Sequence, residues 1–163
     1  MAKLGTVEKF IEILNKEVGT IEGPRDNETK YGKWSGANFQ PWCGSFVNWC
    51  ADKSGVKVPK TVYTPSGAAA FKQSKRWHKT PKIGDIVYFD FPGDGVTGIS
   101  HVGVVVKDNE DGTVWTIEGN TSGDPHRSQR NGGEVAKKLR AYKKNKAGII
   151  VSIVGFGRPK FVE

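Results

Sequence analysis

The sequence predicts an α+β fold in which N-terminal helices pack on a mostly antiparallel β-sheet. Apolar residues recur at helical spacing in the first half of the chain, whereas short β-branched runs bounded by Gly, Asp and Asn follow Pro81. Helices first and strands afterwards are typical of this class. With 163 residues, of which 36% are hydrophobic and 26% charged, the chain is expected to form a single domain over residues 1–163.

The first helix is predicted to begin after Thr6, whose side chain is suited to cap it, and to end at Gly19. Residues 20–42 are rich in Gly, Pro, Asn and Asp, so we expect a loop there. The apolar face of the first helix consists of Val7, Phe10, Ile11, Leu14 and Val18.

A second helix is predicted from Trp42 or Cys43 up to Gly55, and a third over residues 64–79 with Pro65 in its first turn. Five strands are predicted to follow these helices. Their ranges are 85–91, 101–107, 113–118, 135–142 and 148–155.

The two cysteines, Cys43 and Cys50, are predicted to be free thiols. On one helix their Cα atoms would lie about 10.5 Å apart along the axis, whereas a disulfide tolerates at most about 7 Å. With only three scattered histidines, these thiols are not expected to form a metal cluster. The N-terminus lacks a signal-peptide cleavage site, and no apolar run reaches the roughly 20 residues of a membrane span, so we expect synthesis in a cytoplasm.

The formal net charge of +8 is concentrated in the C-terminal third of the chain. From Thr121 onward there are ten Lys or Arg residues against Asp124, Glu134 and Glu163. Such a surface is either a solvated face or a binding site for an anionic partner, and nucleic acid and the polymers of a bacterial wall are the two candidates.

Cys43 is a candidate nucleophile because it lies at the predicted start of a helix. The positive end of the helix dipole and the exposed backbone N–H groups favour a thiolate, and a thiolate attacks amide carbonyls. The backbone N–H of Cys43 and the side-chain amide of Gln40 are candidate donors to the resulting oxyanion. Taken alone, a buried structural thiol is the commoner role for such a cysteine.

Of the three histidines, His101 is best placed to be the general base that this nucleophile needs. His78 lies in a charged segment predicted to be helical, and His126 lies in a turn-rich loop. His101 instead begins a predicted strand, while Glu118 and Asn120 end the next one. Since side chains two residues apart in a strand share a face, we expect Glu118 or Asn120 to hydrogen-bond the ring and fix its tautomer.

At these residues the sequence resembles the CHAP domain family, the cysteine, histidine-dependent amidohydrolases and peptidases of the papain-like superfamily. The resemblance covers nearly the whole chain and is carried by PWCGSFVNWC, KIGDIVYFDF, ISHVGVVV and WTIEGNTS, in that order. It implies a papain-like fold, with Cys43 as nucleophile and His101 as general base and then acid. It also implies that Glu118 is the orienting carboxylate and Asn120 an assisting polar residue.

The resemblance further implies hydrolysis of bacterial peptidoglycan, at the N-acetylmuramoyl-L-alanine amide or within the stem peptide or cross-bridge. An acyl-enzyme would form on Cys43, and no organic cofactor would be required. A bacteriophage endolysin would match synthesis in the cytoplasm followed by action on the wall, here without a separate wall-binding domain. We then expect the basic C-terminal third to bind anionic wall polymers, and the protein to be a monomer that binds no nucleic acid.

Three tryptophans lie in or beside the segments that carry the resemblance, so they are candidates for lining a substrate groove. Packing in the core or at its rim is the alternative for each of them. These residues are Trp34, Trp42 and Trp115.

A calcium site is a further expectation from the resemblance, because some CHAP domains bind calcium through an acidic segment just before the cysteine. Here Asp26, Glu28 and Tyr31 follow a similar rhythm, and oxygen ligands at alternating positions suit Ca²⁺. However, seven residues separate Gly32 from Gln40, where the calcium-binding members have almost none. A solvated turn is the alternative.

Three other functions stay open at this point. A basic nucleic-acid-binding module suits the charge and the aromatic residues but leaves the order of Cys, His and Glu unexplained. An intracellular papain-like amidase acting on a small conjugate would use the same catalytic residues. A phage-tail or secretion-associated wall remodeller would share the chemistry and differ only in delivery.

Overall fold

The computed structural model describes residues 2–163 and confirms an α+β fold in which helices pack on an antiparallel sheet. The helices are α1 (Val7–Glu17), α2 (Lys30–Ser35), α3 (Cys43–Ser54) and α4 (Thr64–Gln73). The strands are β1 (Trp77–His78), β2 (Ile86–Phe89), β3 (His101–Asp108), β4 (Thr113–Thr121), β5 (Glu134–Ala141) and β6 (Ile153–Gly157). None of the helices within residues 2–163 is long and apolar enough to cross a bilayer.

The strands form one sheet in the order β1-β6-β2-β3-β4-β5, and each neighbouring pair is antiparallel. Strand β2 is buried on both faces. Its Tyr88 faces the main core, where it joins Phe10 of α1 and Phe46 of α3, while its Phe89 belongs to a smaller core with Phe156. Because side chains alternate along a strand, the two cores lie on opposite faces of the sheet, and the helices cover only one of them.

Helix α1 begins and ends close to the predicted positions. The Thr6 side chain accepts a hydrogen bond from the Lys9 backbone N–H at 3.1 Å, which satisfies one of the free donors of the first turn. Helix α3 begins at Cys43 and ends at Gly55, whose positive φ of 74° allows the left-handed turn that closes the helix. Both cysteines lie on α3 and are free thiols, as predicted.

The prediction of a continuous loop over residues 20–42 is wrong, because α2 lies within it. The Thr29 side chain accepts a hydrogen bond from the Gly32 N–H at 2.9 Å and caps the start of this helix. Gly36, with a φ of 76°, closes its end. Residues that resemble turn formers in the sequence are therefore the two caps of a short helix.

The predicted helix over residues 64–79 is too long, because it ends at Gln73 and the chain then forms strand β1. Trp77 and His78 pair with Gly157 and Phe156 of β6. The Trp77 ring also packs against Tyr88, with the ring centroids 5.6 Å apart. Pairing and packing against the sheet edge outweigh the local helical preference of this segment.

The last predicted strand, 148–155, is displaced toward the C-terminus. The Asn145 side chain hydrogen-bonds both the N–H and the C=O of Ile149 and closes a turn there. The strand β6 begins only at Ile153. The other four predicted strands agree with the structure to within a few residues at each end.

Candidate active site

Cys43 is the first residue of α3, and the start of this helix is fixed tightly in the fold. No side chain caps the helix at Trp42, so the free N–H groups of its first turn have no side-chain acceptor. A Cβ atom on Gly44 would lie 1.9 Å from the Thr61 carbonyl oxygen, so only glycine permits this approach of the helix to the segment beside it. Asn48 secures the same segment by accepting a hydrogen bond from the Thr61 N–H at 2.8 Å.

His101 begins β3 and is fully buried. Its Nε2 donates a hydrogen bond to Glu118 Oε1 at 2.9 Å, which confirms the predicted pairing of these two side chains. The ring lies beside Phe89 and Phe91, at centroid distances of 5.5 and 5.4 Å. Its Nδ1 is buried without a fully formed hydrogen bond to any of residues 2–163. This nitrogen is therefore the one available to exchange a proton with Cys43.

The environment of His101 favours its charged form. Burial lowers the pKa of the imidazole, but the neighbouring Cys43 sulfur and the Glu118 carboxylate more than offset burial and raise the pKa to about 9. The ring is therefore an imidazolium at neutral pH. A cysteine beside an imidazolium reacts as a thiolate, which is the nucleophilic form.

Arg140 on β5 holds the Glu118 carboxylate in place, and sequence reasoning missed it. Its Nε and Nη2 donate to Glu118 Oε2 and Oε1 at 2.8 and 2.7 Å, and the Thr116 hydroxyl donates to Oε2 at 2.6 Å. Burial raises the pKa of the Glu118 carboxyl, but the charge and hydrogen bonds of Arg140, together with those of His101, hold it well below its usual range. Nothing in the sequence distinguishes Arg140 from the basic residues around it, because local sequence patterns do not predict how β4 pairs with β5.

Gly103, the glycine of the SHVG segment, makes room for the Glu118 side chain. A Cβ atom at this position would lie 2.6 Å from Glu118 Cγ. The glycine two residues after His101 therefore lets the carboxylate lie over β3 and reach the ring.

Asn120 makes no hydrogen bond to His101, so the expectation that Glu118 or Asn120 bonds the ring is met by Glu118 alone. The role of Asn120 as an assisting polar residue stays a prediction. Its side chain donates to Asn131 Oδ1 at 2.9 Å and accepts from the Gly133 N–H at 3.0 Å. The regular register between β4 and β5 is interrupted between Glu118 and Thr121, and Asn120 has a φ of 54°. The alternation that predicts a shared face for residues 118 and 120 fails at this irregularity. Asn120 instead anchors the loop that follows β4.

Cys43 opens into a cleft of about 400 Å³, which we call the Cys43 cleft. Gln40 lines it with an exposed side chain, and its role as second oxyanion donor stays a prediction. The lining of the cleft includes Tyr63, which is 70% exposed, and Ile99. Sequence reasoning did not identify Tyr63 as a cleft residue.

The three candidate tryptophans occupy three different environments. Trp42 is fully buried, stacks on Tyr31 at 5.5 Å and donates to Glu22 at 2.9 Å, so its assignment to a substrate groove is wrong. Trp115 lies on β4 with Lys137 5.4 Å above its ring and does not line the Cys43 cleft. Trp34 is 45% exposed and lines a neighbouring cavity of about 630 Å³, which shares Val62 with the Cys43 cleft.

The residues of the expected calcium site do not fit a metal centre. The Tyr31 ring lies in the core and its hydroxyl donates to Glu17 at 2.7 Å. Glu28 accepts a hydrogen bond from the Arg25 N–H, while Asp26 interacts with Glu22. Within residues 2–163, no three His, Cys, Asp or Glu side chains are grouped closely enough to hold a metal ion.

The other two histidines lie elsewhere in the fold. His78 is part of β1, at one edge of the sheet, rather than part of a helix. His126 is exposed in the loop between β4 and β5. Neither lines the Cys43 cleft.

Comparison with known proteins finds a family match over the middle of the chain. A family model of the CHAP domain matches residues 34–120, more than half of the chain, and this range contains Cys43, His101 and Glu118. Among solved structures, the chain is similar to a protein from Staphylococcus aureus described as similar to a lipoprotein of the NLP/P60 family, with 14% sequence identity and a TM-score of 0.44. The similarity covers 90% of this chain and 40% of that one. No curated protein matches significantly in sequence.

We predict that NMR titration of the His101 ring gives a pKa of about 9, and that Cys43→Ala lowers this pKa because the negative charge of the sulfur is lost. The matched control is Cys50→Ala. Burial raises the pKa of the Cys50 thiol, so this thiol is uncharged. The substitution Cys50→Ala should therefore leave the pKa of His101 unchanged.

The same shift predicts how stability depends on pH. Because the pKa of folded His101 lies above its ordinary value of 6.5, its charge contributes fully to the free energy of unfolding below about pH 6.5, and this contribution is lost as the pH rises through about 9. If the His101 ring of the wild-type protein instead titrated with a midpoint at or below pH 6.5, this would contradict the ion pair between His101 and Glu118.

Proposed function

The chain belongs to the CHAP domain family of cysteine, histidine-dependent amidohydrolases and peptidases, and we propose that it hydrolyses amide bonds of bacterial peptidoglycan. The observation that carries the proposal is one connected arrangement. Cys43 begins a helix and lines a cleft, and its neighbour His101 is held by the buried Glu118–Arg140 pair. Nucleophile, base and orienting group are the three parts that acyl transfer by a thiolate requires.

The first half of the reaction forms an acyl-enzyme. The Cys43 thiolate adds to the carbonyl carbon of the substrate amide, and the carbonyl oxygen becomes an oxyanion. The Cys43 N–H and the Gln40 side-chain amide are the proposed donors to this oxyanion. The His101 imidazolium then gives its Nδ1 proton to the leaving nitrogen, the C–N bond breaks, and a thioester remains on Cys43.

The second half of the reaction returns the enzyme to its starting state. His101 is now neutral and takes a proton from a water molecule as that water attacks the thioester. The C–S bond breaks, the acid product leaves, and the thiolate–imidazolium pair forms again. Glu118 remains ionised throughout because Arg140 stays bound to it, so the ring keeps its orientation through both steps.

We predict that purified bacterial walls release new chain ends when digested with the wild-type protein, and that Cys43→Ala reduces the rate at least about a thousandfold because the nucleophile is lost. Cys50→Ala is the matched control, since Cys50 is a buried thiol of the same helix and does not line the Cys43 cleft. Lysis of whole cells, followed as turbidity, tests the endolysin-type role.

Mass analysis of the products identifies the bond that is cleaved. New amines at L-alanine indicate an amidase, whereas new ends within the stem or bridge indicate an endopeptidase. Wall hydrolysis that persists in Cys43→Ala would refute cysteine catalysis.

We propose that exposed basic residues of the C-terminal third bind anionic wall polymers. Not all the basic residues of the C-terminal third contribute, because Arg140 and Arg158 form internal ion pairs with Glu118 and Asp85. Lys138 donates to the Ser122 carbonyl oxygen. The exposed basic residues of this third are Arg127, Lys137, Lys143, Lys144, Lys146 and Lys160.

We predict that wall binding falls steeply as salt is raised from about 0.1 M to about 1 M, because the Debye length then shrinks from about 10 Å to about 3 Å. Substituting Lys143, Lys144 and Lys146 together by Gln should remove most of the salt-sensitive binding in a pull-down on purified walls. The matched control substitutes three exposed lysines from other parts of the surface by Gln, namely Lys33, Lys75 and Lys79. Equal loss in both triple variants would show that only net charge matters.

A further inference from the structure

Arg130 is the one Lys, Arg, Asp, Glu or His side chain that lines the Cys43 cleft within residues 2–163. It also lines a second cavity of about 600 Å³, which includes Phe91 and Arg140. Arg130 lies on the loop that follows the strand carrying Glu118 and contributes to the lining of both cavities. The rest of the cleft lining, apart from the reactive sulfur, is neutral or apolar.

Arg130 forms an ion pair with Asp94 but donates no hydrogen bond to it. Its Nε lies 3.7 Å from Asp94 Oδ2, which is longer than a hydrogen bond. Asp94 already accepts the Ser100 hydroxyl at 2.6 Å on Oδ2 and the Val96 N–H at 2.9 Å on Oδ1. The Arg130 Nε is buried and has no hydrogen-bond partner in the described part of the chain, although the side chain as a whole is 33% exposed. Arg130 thus lines the cleft with an Nε–H donor that makes no hydrogen bond within residues 2–163.

The loop that carries Arg130 is anchored on both sides of the residue. Asn120 donates to the side chain of Asn131, directly after Arg130, and accepts from the Gly133 N–H. The Gly132 N–H also donates to the Asn120 carbonyl oxygen at 3.0 Å. These bonds give the fully buried Asn120 a positioning role: it ties the Arg130 loop to the end of the strand that carries Glu118.

We propose that Arg130 binds a free carboxylate of the peptide substrate and selects anionic peptides over their amidated counterparts. An arginine fork donates two parallel hydrogen bonds to a carboxylate, which fixes orientation as well as supplying attraction. Binding of that carboxylate in the Cys43 cleft would place the scissile amide over the sulfur. This inference rests on the proposed function, since it specifies which peptides the same site accepts.

The first test compares two synthetic peptides taken from the stem sequence that the wall digestion identifies. They differ only in carrying a carboxylate or a carboxamide beside the scissile bond. The wild type should show a kcat/KM at least about tenfold higher for the acid, the size expected for a hydrogen bond to a charged group. In Arg130→Gln the ratio of kcat/KM for the acid to kcat/KM for the amide should fall to about one, and Arg130→Lys should give an intermediate ratio.

Arg127→Gln is the matched control for this comparison. Arg127 lies in the same loop and carries the same charge, but its side chain is exposed and does not line the Cys43 cleft. The control should keep the wild-type preference. A full preference for the acid in Arg130→Gln would overturn the proposal.

The second test needs no peptide, so it separates failure of this inference from failure of the proposed function. Alkylation of Cys43 by anionic iodoacetate and by neutral iodoacetamide gives a ratio of rate constants that reports anion attraction in the cleft. Arg130→Gln should lower this ratio several-fold and Arg127→Gln should not, with Cys43→Ala correcting for labelling elsewhere. If the ratio of the two alkylation rate constants were equal in wild type and Arg130→Gln, the proposal would be overturned, even for a protein that hydrolyses walls. A lower ratio in Arg130→Gln supports the proposal even if no peptide is cleaved.

Discussion

The ion pair between Glu118 and Arg140 is the interaction on which the site depends. A fully buried carboxylate would ordinarily become protonated, and Arg140 prevents this by donating two hydrogen bonds to it. An ionised Glu118 then keeps His101 charged and oriented, which leaves the other ring nitrogen for Cys43. Removing one partner of such a pair strands a buried charge and costs about 3–5 kcal/mol, so the pair supports the fold as well as the chemistry.

The end of β4 links the catalytic residues to the substrate cleft. Glu118 points toward His101, and two residues later the irregular backbone at Asn120 turns that side chain away to anchor the following loop. That loop carries Arg130 to the wall of the cleft. A single strand end therefore fixes both the orientation of the base and the position of the residue that we propose as the carboxylate-binding group.

The sequence predicted Cys43 and His101 because each begins an element that local patterns mark, and it predicted Glu118 from its place late in the following strand. It did not predict Arg140, because partners across a sheet depend on strand register. It made Trp42 a candidate for a substrate groove with core packing as the alternative, and the structure shows the alternative, with the indole stacked on Tyr31 in the core. The sequence also predicted a loop where α2 lies, because the same residue types that form loops also cap helices. Local patterns define the elements, and long-range packing decides which side chains meet.

The ionisation state of Glu118 tests the central claim most directly. NMR of its side-chain carboxyl carbon, recorded from about pH 8 down to about pH 4, distinguishes carboxylate from carboxylic acid at this one residue. The account predicts a carboxylate signal that does not titrate in this range, because the Arg140 guanidinium holds the pKa well below its ordinary value of 4.5. A titration at or above 4.5 would show that the buried group is not held as an anion, and it would contradict the account.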